Sequence, residues 1–394
     1  MSELLFGLGI LVALFVGYNI GGATTGPAFG PAVGASILSK FIAAILFSIF
    51  FFIGAATIGP EVIDTLSDGI IDSDADVTVF TLETGVVVLF FIGLALFVGN
   101  YFGVPASTSM TTVGAIAALA HAAGALDWAV LGEIAIWWLV APIIGFWCSA
   151  VIGRYLYPTL NRLIALTSSD GALIEMQWSG AVPQIRLGPG TTRREFSGAL
   201  VVIGIGCLMA FASGTSNIAN AVAPLVGSGD LEVTSAVLLG SAAVAVGSFT
   251  IARRTLDTIG NDLTALPLTA AIVVATISSI LTVGLSAIGI PASFVIIATM
   301  SIIGLGWGRA TRTTPVKEIP KGEETGVSVG ALAGDTEGET LPRIGEEEPA
   351  DIPAASELFD PSTTARVIIM QNFVPLISTV GAYLTFQFVP VFGF

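Results

Sequence analysis

Two separate stretches of the chain combine glycine with neutral polar residues. Residues 21–34 read GGATTGPAFGPAVG, and residues 214–227 read GTSNIANAVAPLVG. Hydroxyl and amide side chains both donate and accept hydrogen bonds, so a cluster of them can replace water around an oxyanion. For any single hydroxyl, the alternative is a hydrogen bond to the backbone of its own helix. The candidate residues in these stretches are Thr24, Thr25, Ser216, Asn217 and Asn220.

A second pair of motifs supplies further hydroxyls. PASTSM begins at Pro105 and PASFVI begins at Pro291. These motifs add Ser107, Thr108, Ser109 and Ser293 to the candidate site.

Several other chemistries are excluded by the composition. The chain has a single histidine, His121, and two cysteines, both in apolar stretches, so we predict neither a metal centre nor a disulfide. The sequence contains no GxxxxGK[ST] phosphate loop and no HExxH motif. We therefore expect no organic cofactor, no nucleic-acid partner, and neither an ATP-driven pump nor an enzyme.

Both pairs of motifs recur in the same order, which indicates an internal repeat. An offset of 214 − 21 = 193 places residues 21–34 on residues 214–227. GVPAS at 103–107 matches GIPAS at 289–293 at the similar offset of 186.

The elements that position these motifs are predicted to be membrane helices. The chain is 54% hydrophobic and only 11% charged, whereas soluble proteins carry about 25% charged residues. Several apolar runs approach the roughly 20 residues that a spanning helix needs. We predict an all-α, multi-pass protein of the cell membrane with about 10–12 membrane segments. The lipid bilayer is therefore an expected partner.

The charges that flank matching helices indicate that the two halves are inverted. The helix after Lys40 ends in an acidic loop that begins at Glu61, whereas its counterpart begins after Glu232 and ends at Arg253. Since basic residues mark cytoplasmic ends, the halves are expected to lie in opposite orientations. Inverted repeats place their sites near the midplane, at helices interrupted by Gly and Pro. We therefore predict broken or re-entrant helices at the glycine-rich motifs.

This pattern divides the chain into five parts. They are a first transmembrane repeat plus an extra helix (1–153), a cytoplasmic connecting loop (154–195), a second repeat (196–310), an acidic flexible cytoplasmic loop (311–365) and a C-terminal transmembrane helix (366–394). The net charge is −15, with the acids concentrated in the loops. Acidic loops are typical of a halophile, although loops of membrane proteins are polar in any case.

The motifs resemble those of the inorganic phosphate transporter (Pit) family. GTSNIANAVAPLVG matches the family's repeated GANDVANA-type stretch, and GGATTGPAFGPAVG matches it in spacing. PASTSM matches the PVSTTH-type hairpin, and RRTLDTIG from Arg253 matches a helix end of the family. The resemblance covers both halves, most of residues 15–310.

The resemblance implies alternating-access symport of phosphate with Na⁺, or with H⁺ as the coupling ion. We assign substrate binding to Ser107, Thr108, Ser109, Asn220, Ser293 and Thr25. We assign cation binding to Thr24, Asn217 and Ser216.

The sequence departs from the family at both signature aspartates, which are Thr24 in the first half and Asn217 in the second. A Na⁺ site without these carboxylates loses its formal charges. A carboxylate also accepts the proton that phosphate keeps near neutral pH, and sulfate has no such proton. Sulfate is therefore the alternative substrate. A passive anion channel and a non-transporting receptor are alternatives of other classes, and a homodimer is an open alternative for assembly.

Overall fold

The computed structural model describes residues 2–34, 37–75, 77–101, 107–157, 159–160, 174–179, 182–187, 193–251, 268–311 and 361–389. Regular structure within these ranges is helical apart from one β-hairpin. The helices are α1 (Ser2–Gly34), α2 (Lys40–Thr57), α3 (Gly59–Asp64), α4 (Leu82–Tyr101), α5 (Thr108–Ala122), α6 (Trp128–Val151), α7 (Arg193–Gly227), α8 (Val233–Thr250), α9 (Leu268–Ser286), α10 (Phe294–Ala310) and α11 (Pro361–Phe388). Short π-helical turns, Thr65–Gly69 and Ile152–Leu156, extend α3 and α6.

The connecting segment between the two halves contains the hairpin. Strands β1 (Ile174–Ser179) and β2 (Val182–Leu187) pair antiparallel. The sequence predicted only a loop here. The acidic loop and the RRTLDTIG motif lie outside the described residues, and α11 begins at Pro361, earlier than predicted.

The helices confirm a multi-pass membrane protein. Seven helices of the described ranges are long and apolar enough to cross a bilayer, namely α1, α2, α4, α6, α7, α8 and α9. Helix α10 is a shorter apolar helix. Large apolar side chains stay exposed on the outer faces of these helices, for example Leu139 and Ile136 on α6. Such a surface is stable against lipid acyl chains rather than water.

The structure corrects the expectation that the glycine-rich segments are broken. Helix α1 continues for 33 residues through Pro27 and Pro31, and α7 continues for 35 residues through Pro224. Each proline costs one backbone hydrogen bond and bends a helix without having to end it. The glycines serve close packing instead, because small residues let membrane helices approach each other.

Four glycines lie where the first two helices of each half pack closely against the other half. Helix α1 packs on α8, and α2 packs on α7. A Cβ added to any of these four glycines would lie 2.0–2.1 Å from a backbone oxygen of the partner helix. Gly21 and Gly247 make the α1–α8 contact, and Gly54 and Gly214 make the α2–α7 contact. The repeat offset of 193 residues relates the two contacts to each other, because it places Gly21 on Gly214 and Gly54 on Gly247.

Helices α4 and α5 form a hairpin that returns to the side from which it starts. The backbone N–H of Asp72, in the segment leading into α4, donates to the oxygen of Ala125, just after α5, at 2.8 Å. Asp127 donates back to Ile70 at 3.0 Å. Helices α9 and α10 also pack on each other, and their connection places Ser293 at the start of α10. The serines of the two PAS motifs, Ser107 and Ser293, therefore stand at the start of the second helix of two helix pairs.

Candidate functional site

A cavity of about 40 Å³ lies where α1, α5, α7 and α10 meet. A single water needs about 10–15 Å³ measured in this way, so the cavity has room for a small solute. None of the described residues that line it carries a charge. The lining residues are Ala23, Thr24, Pro27, Ala28, Ser107, Thr108, Met209, Ser213, Asn217, Ser293, Phe294 and Val295.

Two helix N-termini point to this cavity, each capped by the serine of a PAS motif. Ser107 Oγ accepts from Met110 N at 3.3 Å, and Ser293 Oγ accepts from Ile296 N at 3.5 Å. Each serine hydroxyl still has its proton to donate. A helix N-terminus carries about half a positive charge and free N–H groups, which favour an anion. The structure thus brings together two predicted substrate ligands from opposite halves of the chain.

Asn217 organises the wall formed by α7. Its Oδ1 accepts from Thr108 Oγ1 and from Asn220 Nδ2, the latter at 3.1 Å, while its Nδ2 donates to Ser213 Oγ at 3.0 Å. Asn217 is only 4% exposed. These bonds fix the amide so that Thr108, a predicted substrate ligand, and Asn217, a predicted cation ligand, form one network at the cavity wall.

Two further predicted residues lie behind the wall. Ser109 Oγ donates to the oxygen of Ala292 at 2.8 Å, and Ser216 Oγ donates to the same oxygen at 2.9 Å. Both serines are fully buried. They therefore support the turn before α10, and they do not line the cavity.

The first-half threonines divide between two faces of α1. Thr24 lines the cavity, and its hydroxyl donates to Ile20 O at 2.7 Å. Thr25 points away from the cavity towards α8; its hydroxyl donates to Gly21 O at 2.7 Å, and its Oγ1 lies 2.9 Å from Ser248 Oγ. Thr25 thus makes the backbone bond that was the alternative interpretation, and it joins the packing contact of α1 with α8.

Asn220 is buried one helical turn beyond Asn217, and it does not line the cavity. Its Oδ1 has no hydrogen-bond partner, and the buried Thr112 Oγ1 on α5 has none either. An unsatisfied buried acceptor costs about 1–3 kcal/mol, so such oxygens suit a water or a cation. The described residues include no group of His, Cys, Asp and Glu side chains that could hold a metal ion.

The sequence analysis did not identify several cavity residues. Ser213 lies four residues before Asn217, on the same helical face, and this spacing would have found it. Met209, Phe294 and Val295 are apolar, and an apolar residue carries no sequence signal that separates a cavity wall from the core.

Comparison with known proteins supports the reading of the motifs. A model of the phosphate transporter family matches residues 20–333, which contain both serine-capped helix N-termini and both glycine-rich stretches. The chain belongs to the phosphate transporter family. Among the proteins that this chain resembles, the sulfate permease CysP of Bacillus subtilis is 30% identical over 76% of this chain and 77% of its own length. A protein of Chlamydia muridarum, provisionally named a phosphate permease, is 24% identical over 79% of this chain and 91% of its own.

The fold of this phosphate transporter family member also matches a solved structure. A protein named the sodium-dependent phosphate transporter superimposes with a TM-score of 0.63, covering 99% of this chain and 100% of that one. At 16% identity, this likeness establishes the shared fold. Membership of the family identifies the chain as a transporter.

Proposed function

We propose that this protein is a secondary active transporter of inorganic phosphate, driven by Na⁺ or H⁺ through alternating access. The observation that carries the proposal is the uncharged cavity between two serine-capped helix N-termini from opposite halves of the chain. Ser107 and Ser293 offer hydroxyl protons, and α5 and α10 offer backbone N–H groups. A tetrahedral oxyanion presents acceptors in several directions, so donors that converge from two sides suit it.

The reciprocal glycine contacts support an alternating-access mechanism. The first helix of each half packs against the second helix of the other half, α1 on α8 and α7 on α2. The same type of contact therefore occurs twice. A protein built in this way can adopt two states of equal packing, one open to each side, if its halves are inverted. The cavity lies between helices of both halves, which is where such a motion would alternately expose it.

Coupling is proposed to use the oxygens near Asn217. Thr24 and Asn217 face the same cavity as the anion donors, and Ser216 lies directly behind it. The unpartnered Asn220 Oδ1 adds a buried oxygen one turn away. Oxygen ligands suit Na⁺, whereas neutral ligands supply no formal charge to hold it strongly.

Sulfate is a second candidate substrate, favoured by a specific observation. No carboxylate lines the described cavity, so no strong acceptor is present for the proton that phosphate keeps at neutral pH. The resemblance to a protein named sulfate permease agrees with this chemistry. Phosphate is the first candidate substrate because of the family, and sulfate is the second because the cavity is uncharged.

Uptake into proteoliposomes tests the proposal. Purified protein would be supplied with labelled phosphate or sulfate, with and without an inward Na⁺ gradient, and separately with a pH gradient. We expect saturable, gradient-driven uptake that falls in the Ser107→Ala/Ser293→Ala variant. Ser39→Ala is the control, because Ser39 caps α2 through the same type of hydrogen bond, from Ile42 N, away from the cavity. Saturable uptake of sulfate alone would support the second candidate. Anion flux that does not saturate and that needs neither a Na⁺ gradient nor a pH gradient would indicate a channel and contradict the proposal.

A further inference from the structure

The turn before α10 is held by hydrogen bonds to two consecutive carbonyl groups. Trp138 Nε1, on α6, donates to the oxygen of Pro291 at 2.8 Å. The next oxygen, that of Ala292, accepts from Ser109 and Ser216 at 2.8 and 2.9 Å. Three helices, α5, α6 and α7, thus converge on this turn.

The hydrogen bond from Trp138 satisfies both the indole N–H and the oxygen of Pro291. A buried indole N–H requires an acceptor, and the body of the ring supplies apolar packing in the same side chain. Proline lacks an N–H, so Pro291 can be fixed by hydrogen bonds only through its oxygen. The neighbouring residue, Ala292, is held through both of its backbone groups, because its N–H also donates to Ser216 Oγ at 3.3 Å.

The residue that follows these two carbonyls is Ser293, which caps α10 and lines the cavity. Its position is therefore set by the backbone that Trp138 and the two serines hold. A binding site keeps its geometry when the groups around its ligating residues are themselves locked. Trp138 does not line the cavity, and its hydrogen bond to the turn connects it to Ser293.

We infer that Trp138 is a positioning residue of the anion site, acting through Pro291 on the hydroxyl of Ser293. This inference rests on the proposed function. It assigns to α6 a role in binding, although α6 contributes no residue to the cavity wall. The sequence gives no hint of it, because a tryptophan in an apolar helix has the same signature as a lipid-facing one.

The test compares Trp138→Phe with Trp137→Phe. Phenylalanine keeps an aromatic ring and removes the N–H. Trp137 is its neighbour on the same helix, packs partly buried against the core, and takes part in none of the described hydrogen bonds. Loss of one net hydrogen bond predicts a rise of about fivefold in the KM for phosphate or sulfate uptake in Trp138→Phe. Vmax, corrected for the amount of folded protein, should stay within about twofold, because the lost bond acts on anion binding.

A double-mutant cycle separates positioning from general stability. In a Ser293→Ala background, Trp138→Phe should change KM by less than about twofold, because the group that it positions is gone. If Trp138→Phe does not fold, Trp138→benzothienylalanine keeps the shape of the indole and removes only its N–H. An unchanged KM in either Trp138 variant, an equal change in Trp137→Phe, or an undiminished effect in the Ser293→Ala background would overturn the inference. If the unaltered protein takes up neither anion in the same assay, the proposed function fails first, and the inference fails with it.

Discussion

Replacing Asn217 with aspartate tests whether the charge of the cavity selects the anion. The substitution is nearly isosteric, and the surroundings can accept it. Oδ1 of residue 217 already receives hydrogen bonds from Thr108 and Asn220, and the hydroxyl of Ser213 can rotate to donate to the second oxygen. Hydrogen bonds to a charged group contribute about 1.5–3 kcal/mol each, which offsets a burial cost of several kcal/mol.

The new charge should act differently on the two anions. Two like unit charges 4 Å apart repel by about 4 kcal/mol at an effective dielectric constant of 20. Phosphate can place its O–H on the carboxylate and recover about 1.5–3 kcal/mol, whereas sulfate has no proton to do so. We therefore expect Asn217→Asp to raise the ratio of phosphate to sulfate uptake by about 10- to 100-fold. A bound Na⁺ would relieve the same repulsion, so uptake should also depend more steeply on Na⁺.

The assay measures kcat/KM for both labelled anions in proteoliposomes across a range of Na⁺ concentrations. Asn217→Ala serves as the control, since it removes the amide without adding charge and should lower both uptakes together. If Asn217→Asp transports normally and its phosphate-to-sulfate ratio stays within about twofold of the unaltered protein, cavity charge does not set selectivity.

Three further predictions concern packing and capping. Gly214→Ala should lower the apparent Tm of the detergent-solubilised protein by several degrees, because its Cβ would lie 2.0 Å from a carbonyl oxygen of α2, whereas Gly204→Ala on the same helix meets nothing within 4 Å and should not. Ser107→Ala should raise the KM for the transported anion and cost about 1 kcal/mol through loss of the helix cap; Ser39→Ala should show the stability cost with KM unchanged. Thr25→Val should destabilise the protein by about 1 kcal/mol, through the lost bond to α8, and leave KM unchanged; a raised KM would return Thr25 to the site.

The sequence predicted the membrane fold because that fold depends on a local signal. Apolar runs of spanning length are visible in the chain itself. The repeat offset of 193 was also informative, since it relates Gly21 to Gly214, and both glycines lie in close helix contacts. The prediction that these glycines interrupt the helices was wrong, because a glycine cluster that permits a kink has the same sequence pattern as one that permits close packing.

The division of the polar residues could not be predicted from the sequence. Thr24 and Thr25 are adjacent, yet only Thr24 faces the cavity, because the rotation of α1 is fixed by its contact with α8. Ser109 and Ser216 belong to polar motifs, yet they bond to a backbone oxygen of another element. Assignments of this kind depend on the relative rotation of helices that are distant in sequence.

The exchange of helices between halves also governs how the molecule can be made. Helices α1 and α2 enter the membrane early in synthesis, but their glycine faces have their partners on α8 and α7, which follow much later in the chain. Until α7 and α8 are made, these two glycine faces lack the partners that they have in the structure. The first half therefore reaches its final packing only when the second half has been inserted.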